Sequence, residues 1–173
     1  MEILRVIRNQ TDKSGICFLV IGGHAVNHYG FARQTGDLDL LASKEDREFW
    51  NSLLADLKFT NRQNHEVFAR FEPREIASWP IDLMFVEKEI LKEILARSED
   101  ASFGSVSAPV PCIEHMIALK LHALKQRQSF REEKDFIDVQ ELRKRSNLSQ
   151  EAFRALCEKY DRIDVYERLD GKK

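Results

Sequence analysis

Residues 18–43 read FLVIGGHAVNHYGFARQTGDLDLLAS. An apolar run, Ile16–Ile21, strikes Gly22–Gly23, and a short stretch with helical spacing follows from His24 to about Tyr29, closed by Gly30. A second apolar run then carries Asp37 and Asp39. On a strand, residues two apart share a face, so these carboxylates project together while Leu38 and Leu40 point away. Two like charges this close repel and resist burial unless a cation sits between them. Paired hard-oxygen ligands suit Mg²⁺, which takes one or two carboxylates plus substrate phosphates. Alone, Asp-x-Asp fits an exposed sheet edge equally well, and two glycines alone fit a tight turn. Their succession adds meaning. A glycine turn between strand and helix exposes backbone N–H groups to an anion and lets a phosphate approach closely. An acidic pair on the next strand would bring the metal.

A third acid is expected where two metals are used. Asp82, between Ile81 and Leu83 in the apolar run WPIDLMF, occupies a costly place for an unpaired charge. The alternative for Asp82 is a hydrated strand start after Pro80.

Outside this stretch the chain alternates strands and helices as far as residue 111. The pattern predicts a helix over Met1–Thr11, strands at Ile16–Ile21, Asp37–Leu41, Val67–Phe71 and Ile81–Phe85, and helices from Ser43 to Leu57 and Glu87 to Arg97. Phe103–Pro111 is expected as an edge strand or extended loop, because its prolines cannot sit mid-sheet. From Cys112 the spacing is helical: Cys112–Arg127, a helix opened by Ser129 and Glu132 as a capping box and running to Arg145, and Ser149–Lys159. This divides the chain into residues 1–110 and 111–173.

Helix 112–127 has an apolar stripe of Ile113, Met116, Ile117, Leu121 and Leu124, with Lys120 in its middle and Arg127 continuing the line. A lysine on a buried face snorkels to the edge or meets an anion. The next helix is the mirror case, with Asp135 and Asp138 on the side of Val139 and Leu142. A structural ion pair between the helices, or Arg131 with Asp135 on one helix, is the simpler reading. The functional one has Lys120 reaching a triphosphate while Asp135 and Asp138 orient it.

At 173 residues, 43% hydrophobic and 32% charged, with a net charge of -2, the chain has the composition of an ordinary globular protein. That balance offers no global basic field for nucleic acid. Arg127, Arg131, Lys134, Arg143, Lys144 and Arg145 nevertheless make the helical third locally basic. Three scattered cysteines are expected as reduced thiols, His24 and His28 lack the H-E-x-x-H pattern, and no apolar run is long enough to span a bilayer. A cytoplasmic protein with no membrane partner is the expectation.

The segment GGHAVNHYGFARQTGDLDLL resembles the polymerase-β-type nucleotidyltransferase superfamily, whose signature is a glycine turn followed by Asp-x-Asp in a strand. With Arg33 and Thr35 in order, and with ALKLHAL and KDFIDVQEL later, it looks most like the AbiEii-type branch known from toxin–antitoxin and phage-defence systems. The resemblance implies an α/β fold: a small mixed, largely antiparallel sheet flanked by helices, then a C-terminal helical region that completes the nucleotide site. It implies transfer of an NMP from an NTP such as ATP to an acceptor hydroxyl of tRNA, protein or a small molecule, with release of pyrophosphate. Asp37, Asp39 and Asp82 would hold two Mg²⁺ ions, and Gly22, Gly23, Arg33, Thr35, Lys120 and Asp135 would serve the nucleotide. A cognate antitoxin is the implied partner. A non-catalytic nucleotide- or partner-binding module of the same fold, or an antibiotic-modifying enzyme, is the alternative. His24 departs from the superfamily, many members of which carry a serine there that touches the phosphates.

Overall fold

The computed structural model describes residues 2–74, 78–125 and 129–171, the side chains of 129–131 excepted. The chain divides into two compact units, Met1–His28 with Ala32–Pro111 and Tyr29–Phe31 with Cys112–Lys173.

In the first unit, helix α1 (Glu2–Ser14) buries Leu4, Ile7 and Thr11, positions on one face of a 3.6-residue period. The Thr11 hydroxyl lies 3.1 Å from the Ile7 carbonyl, so the polar atom on that face is satisfied within its own helix. Strand β1 (Phe18–Val20), helix α2 (Gly22–His28) and strand β2 (Leu38–Ser43) follow. The Ser43 hydroxyl accepts the Glu45 N–H and opens a 3₁₀ turn, Lys44–Asp46, which runs into α3 (Arg47–Asp56). Strands β3 (Phe59–His65), β4 (Phe68–Pro73) and β5 (Ile81–Val86) come next, then α4 (Lys88–Leu95) and the hairpin β6 (Glu99–Phe103) with β7 (Val106–Val110).

Five strands form one sheet in the order β1-β2-β5-β4-β3. Only the β2–β5 pair is parallel; the other three pairs are antiparallel. Both parallel strands are central and almost wholly buried, which suits their near-continuous apolar sequences. Edge strand β3 is polar and exposed from Asn61 to His65, a composition that protects an unpaired edge. Phe18, Leu19, Leu40, Leu41, Trp50, Leu54 and Leu83 are all at or below 1% exposure and form the heart of this unit's core. The β6–β7 ribbon has two strands and therefore only edges, so Pro109 fits it, and Gly104 at φ +70° makes its two-residue turn.

The second unit is helical: α5 (Ile113–Lys125), α6 (Ser129–Arg145), α7 (Gln150–Lys159) and α8 (Ile163–Leu169). The stripe Met116, Ile117, Leu121 and Leu124 is buried, as are Val139, Leu142, Phe153, Cys157 and Val165. Burial pushes the Cys157 thiol up to about 12, so it is an inert packed thiol. The Ser149 hydroxyl accepts the Ala152 N–H and caps α7. Arg162 donates to the Leu124 carbonyl at 2.7 Å, closing the end of α5.

Several boundaries differ from the sequence expectation. Asp37 stands just before β2, while β3, β6 and α8 are additional elements. The helix expected from Ser43 is a 3₁₀ turn followed by α3. The Ser129 capping box, Arg131 and Arg127 fall outside the described residues or side chains. Among the described residues no helix is long and apolar enough to cross a membrane.

Candidate active site

The three acids converge. Asp37, Asp39 and Asp82 each offer a carboxylate oxygen within 4.8 Å of the others. Backbone pairing accounts for this. Asp39 and Asp82 are register partners on the parallel strands β2 and β5, so their side chains share a face. The ladder is pinned on both sides of Asp39: its carbonyl accepts the Ile21 N–H at 2.9 Å, and the Leu38 N–H donates to the Pro80 carbonyl at 2.9 Å. Asp37 reaches the same point from the bend before β2, where the Thr35 hydroxyl donates to its Oδ1 at 3.0 Å.

Gly22 and Gly23 make this convergence sterically possible. Gly22 has φ +62°, and a Cβ there would lie 1.9 Å from Asp39 Oδ2. A Cβ on Gly23 would lie 2.6 Å from the Thr35 hydroxyl and 3.0 Å from Arg33 Nη1. The glycines therefore admit the acid and the loop that supports it. Asn27 on α2 clamps that loop, accepting the Arg33 N–H at 2.9 Å and donating to the Arg33 carbonyl at 3.0 Å. Arg33 Nη1 also donates to the Gln34 carbonyl at 3.3 Å, so this residue and Thr35 organise the approach to the acidic strand.

His24 stacks on Trp79, ring centroids 4.9 Å apart at 19°, and meets Phe103 edge-on. Burial lowers its pKa from 6.5, outweighing the raising effect of Asp37. A neutral, aromatic-packed imidazole thus stands where the resemblance leads one to expect a serine.

Asp82 is buried, and Arg70 Nη1 lies 2.9 and 3.1 Å from its two oxygens. Arg70 is the register partner of Asp82 across the antiparallel β4–β5 pair. Sequence reasoning missed it, because only sheet pairing connects the two positions. Missed too was Asn27, whose amide has no spacing signature. The donor set fits a divalent cation: three carboxylates, all hard oxygen ligands, with one ligand atom apiece inside a small radius.

In the helical unit, Lys120 Nζ lies 2.7 Å from both Asp135 Oδ1 and Asp138 Oδ2. Burial acts to lower its pKa, but the two carboxylates outweigh burial and raise it. The interior-facing acids and base expected from the helical stripes are therefore one bonded triad. Part of the basic character of this unit is also compensated: Arg143 pairs with Asp170 at 2.6 Å, and Lys144 and Arg145 pair with Glu141 at 2.5 and 2.6 Å.

A groove of about 480 Å³ in the first unit, lined by Leu57, Lys58, Arg74 and Trp79 among others, does not include the three aspartates. Its walls include Glu2, Ile3 and Val6 of α1.

Residues 5–169 match the family model described as nucleotidyl transferase AbiEii toxin, type IV toxin–antitoxin system. No curated protein matches the sequence. Among solved structures, the antibiotic-resistance factor ANT(2'')-Ia in complex with adenylyl-2''-tobramycin is similar at TM-score 0.69 and 14% identity, covering 92% of this chain and 95% of that one. An antigenic nucleotidyltransferase-like protein from Paracoccidioides brasiliensis is similar at TM-score 0.61 and 15% identity, covering 97% and 91%. The lincomycin-bound lincosamide antibiotic adenylyltransferase LnuA is similar at TM-score 0.57 and 12% identity, covering 83% and 96%. These likenesses show a shared nucleotidyltransferase fold. The chain belongs to the AbiEii nucleotidyl transferase family.

Proposed function

We propose that this family member moves a nucleoside monophosphate from a nucleoside triphosphate to an acceptor hydroxyl, with Mg²⁺ at the acidic cluster. The observation that carries this reading is the meeting of Asp37, Asp39 and Asp82 beside the Gly22–Gly23 turn. In the reaction the acceptor oxygen forms a bond to the α-phosphorus, the bond to the β-phosphate bridging oxygen breaks, the hydroxyl loses its proton and pyrophosphate leaves. When bound, the one or two Mg²⁺ ions would polarise the phosphate and lower the pKa of the acceptor hydroxyl.

Asp37, Asp39 and Asp82 would be the protein ligands. Their placement by ladder and loop bonds spares the site reorganisation when substrate arrives. Thr35 orients Asp37 through its hydroxyl. Gly22 and Gly23 leave backbone N–H groups open to the polyphosphate, and Arg33, held by Asn27, fixes the loop or meets phosphate. In the helical unit, Lys120 is assigned to the nucleotide, with Asp135 and Asp138 keeping its ammonium charged and oriented.

Membership of the AbiEii toxin family supports a toxin role countered by an antitoxin, and ATP or another NTP is the donor in this reading. The acceptor is a tRNA, a protein or a small molecule. ANT(2'')-Ia, seen with adenylyl-2''-tobramycin, and LnuA, seen with lincomycin, make aminoglycosides and lincosamides worth including among the candidates.

The test is a labelled-NTP transfer assay with RNA, protein and drug acceptors, comparing wild type with Asp37→Asn and Asp39→Asn. Loss of transfer in both variants at retained fold supports the reading. Transfer at the wild-type rate in either variant ends it, and nucleotide binding without transfer to any acceptor favours a binding module.

A further inference from the structure

Asp82 poses a problem that the metal alone does not solve. Its side chain is 2% exposed, and two further carboxylates converge on it. Without a cation between them, carboxylates this close repel one another and favour rotamers away from the site. Arg70 answers that problem. Its strand pairs antiparallel with β5, directly opposite Asp82, and one guanidinium nitrogen lies 2.9 and 3.1 Å from the two carboxylate oxygens. The Arg70 side chain is 26% exposed, so the pair sits at the margin of the buried region.

We infer that Arg70 is a resident counter-ion of the acidic cluster: it holds Asp82 aimed at the site without metal, and it opposes the metal once that ion binds. The inference rests on the metal-site reading given above. A guanidinium cannot be deprotonated under ordinary conditions, so its charge stays whether or not the site is loaded. A divalent ion taking an Asp82 oxygen must share that oxygen with Arg70 or displace it, in a part-buried setting where charge interactions are little screened. Arg70 is thus a positioning residue with an unusual sign. It favours the fold of the empty protein while weakening its hold on metal.

That sign distinguishes it from a merely structural residue. If Arg70 only kept β4 in place, its loss would disorder Asp82 and weaken metal binding. If it is a counter-ion, its loss destabilises the metal-free protein and tightens metal binding. Arg62 on the neighbouring edge strand provides the control for net charge, since its exposed partner Glu72 has no part in the cluster.

The experiment measures Mn²⁺ affinity by calorimetry or electron paramagnetic resonance, and Tm with and without Mn²⁺, on the full chain. Wild type, Arg70→Gln, Arg70→Lys and Arg62→Gln are compared. The expected result is a lower metal-free Tm for Arg70→Gln, a Mn²⁺ Kd tighter by about tenfold, as removal of one nearby positive charge implies, and a larger Mn²⁺-induced rise in Tm. Arg62→Gln should stay close to wild type, and Arg70→Lys, which keeps the charge on a shorter stem, should fall between wild type and Arg70→Gln. A Kd for Arg70→Gln that is unchanged or weaker, with wild type binding Mn²⁺ normally, overturns the counter-ion role and leaves the metal-site reading standing. Absence of Mn²⁺ binding by wild type, checked against Asp39→Asn, overturns both. Should Arg70→Gln fail to fold, Arg70→Lys decides: its shorter, more strongly hydrated ammonium holds Asp82 less closely, so it should bind Mn²⁺ more tightly than wild type, and equal or weaker binding rejects the inference.

Discussion

Gly22 and Asp39 occupy almost the same space: a methyl group on the glycine would lie 1.9 Å from the aspartate's Oδ2. The backbone there also holds φ +62°, a region that costs an L-residue about 1–2 kcal/mol. Gly22→Ala is therefore expected to expel Asp39 from the cluster. Metal binding and transfer should fall by about a hundredfold, the scale of an ångström-size misplacement, while the core remains folded. Circular dichroism with a metal titration checks both halves of that expectation.

Thr35 supports Asp37 through one hydroxyl bond at 3.0 Å. Thr35→Val keeps the shape and removes the donor, and a hydrogen bond to a charged group contributes about 1.5–3 kcal/mol. Transfer should drop about tenfold or more on that basis, and Thr35→Ser should restore most of it. If valine and serine give equal rates, the hydroxyl has no part in placing Asp37.

Lys120→Met would leave Asp135 and Asp138 buried without their shared ammonium. Breaking a buried pair by deleting one partner costs about 3–5 kcal/mol, measurable as a shift in urea midpoint. The carboxylates would then take up protons more readily, so the deficit against wild type should shrink as pH falls. The raised pKa of Lys120 means its contribution is complete below 10.5 and is lost only as pH climbs through the higher folded value. Neutral-pH measurements therefore see all of it.

His24 titrates below its ordinary 6.5, chiefly because burial disfavours the imidazolium. The unfolded chain then binds the proton more tightly than the folded one, so stability from this group is present above 6.5 and declines as pH falls toward the folded value. His24→Phe should preserve the stack on Trp79 and flatten that part of the pH–stability profile in metal-free buffer. A slope equal to wild type below 6.5 would assign the dependence to other groups.

Much of the site was legible because it is written in short spacings. Gly22–Gly23 and the pair Asp37–Asp39 lie within one β1–α2–β2 passage, although Asp37 reaches the cluster from the bend before β2 and not through the strand period. Asp82 could be suspected from the cost of burying a charge in an apolar run. Lys120, Asp135 and Asp138 could be matched because both helical stripes put charge on an apolar side. Arg70 could not, since its link to Asp82 exists only through β4–β5 pairing. Edge strand β3 was hidden by its polar sequence FTNRQNH, which lacks the alternation of a half-buried strand. Helix α8 was hidden by its brevity, with Val165 its one buried residue. The glycines showed their turn but not their tightest demand, for which the position of the Asp39 side chain was needed.

The register that sets Asp39 opposite Asp82 has a practical meaning for handling this protein. A slip of one residue between β2 and β5 would send one carboxylate to the opposite side of the sheet while leaving helix content nearly unchanged. Mispaired molecules would look sound by circular dichroism yet offer an incomplete ligand set. On the proposed metal-site reading, cation uptake per mole of chain serves as an assay of refolding fidelity, counting the molecules whose two central strands have found their proper partners.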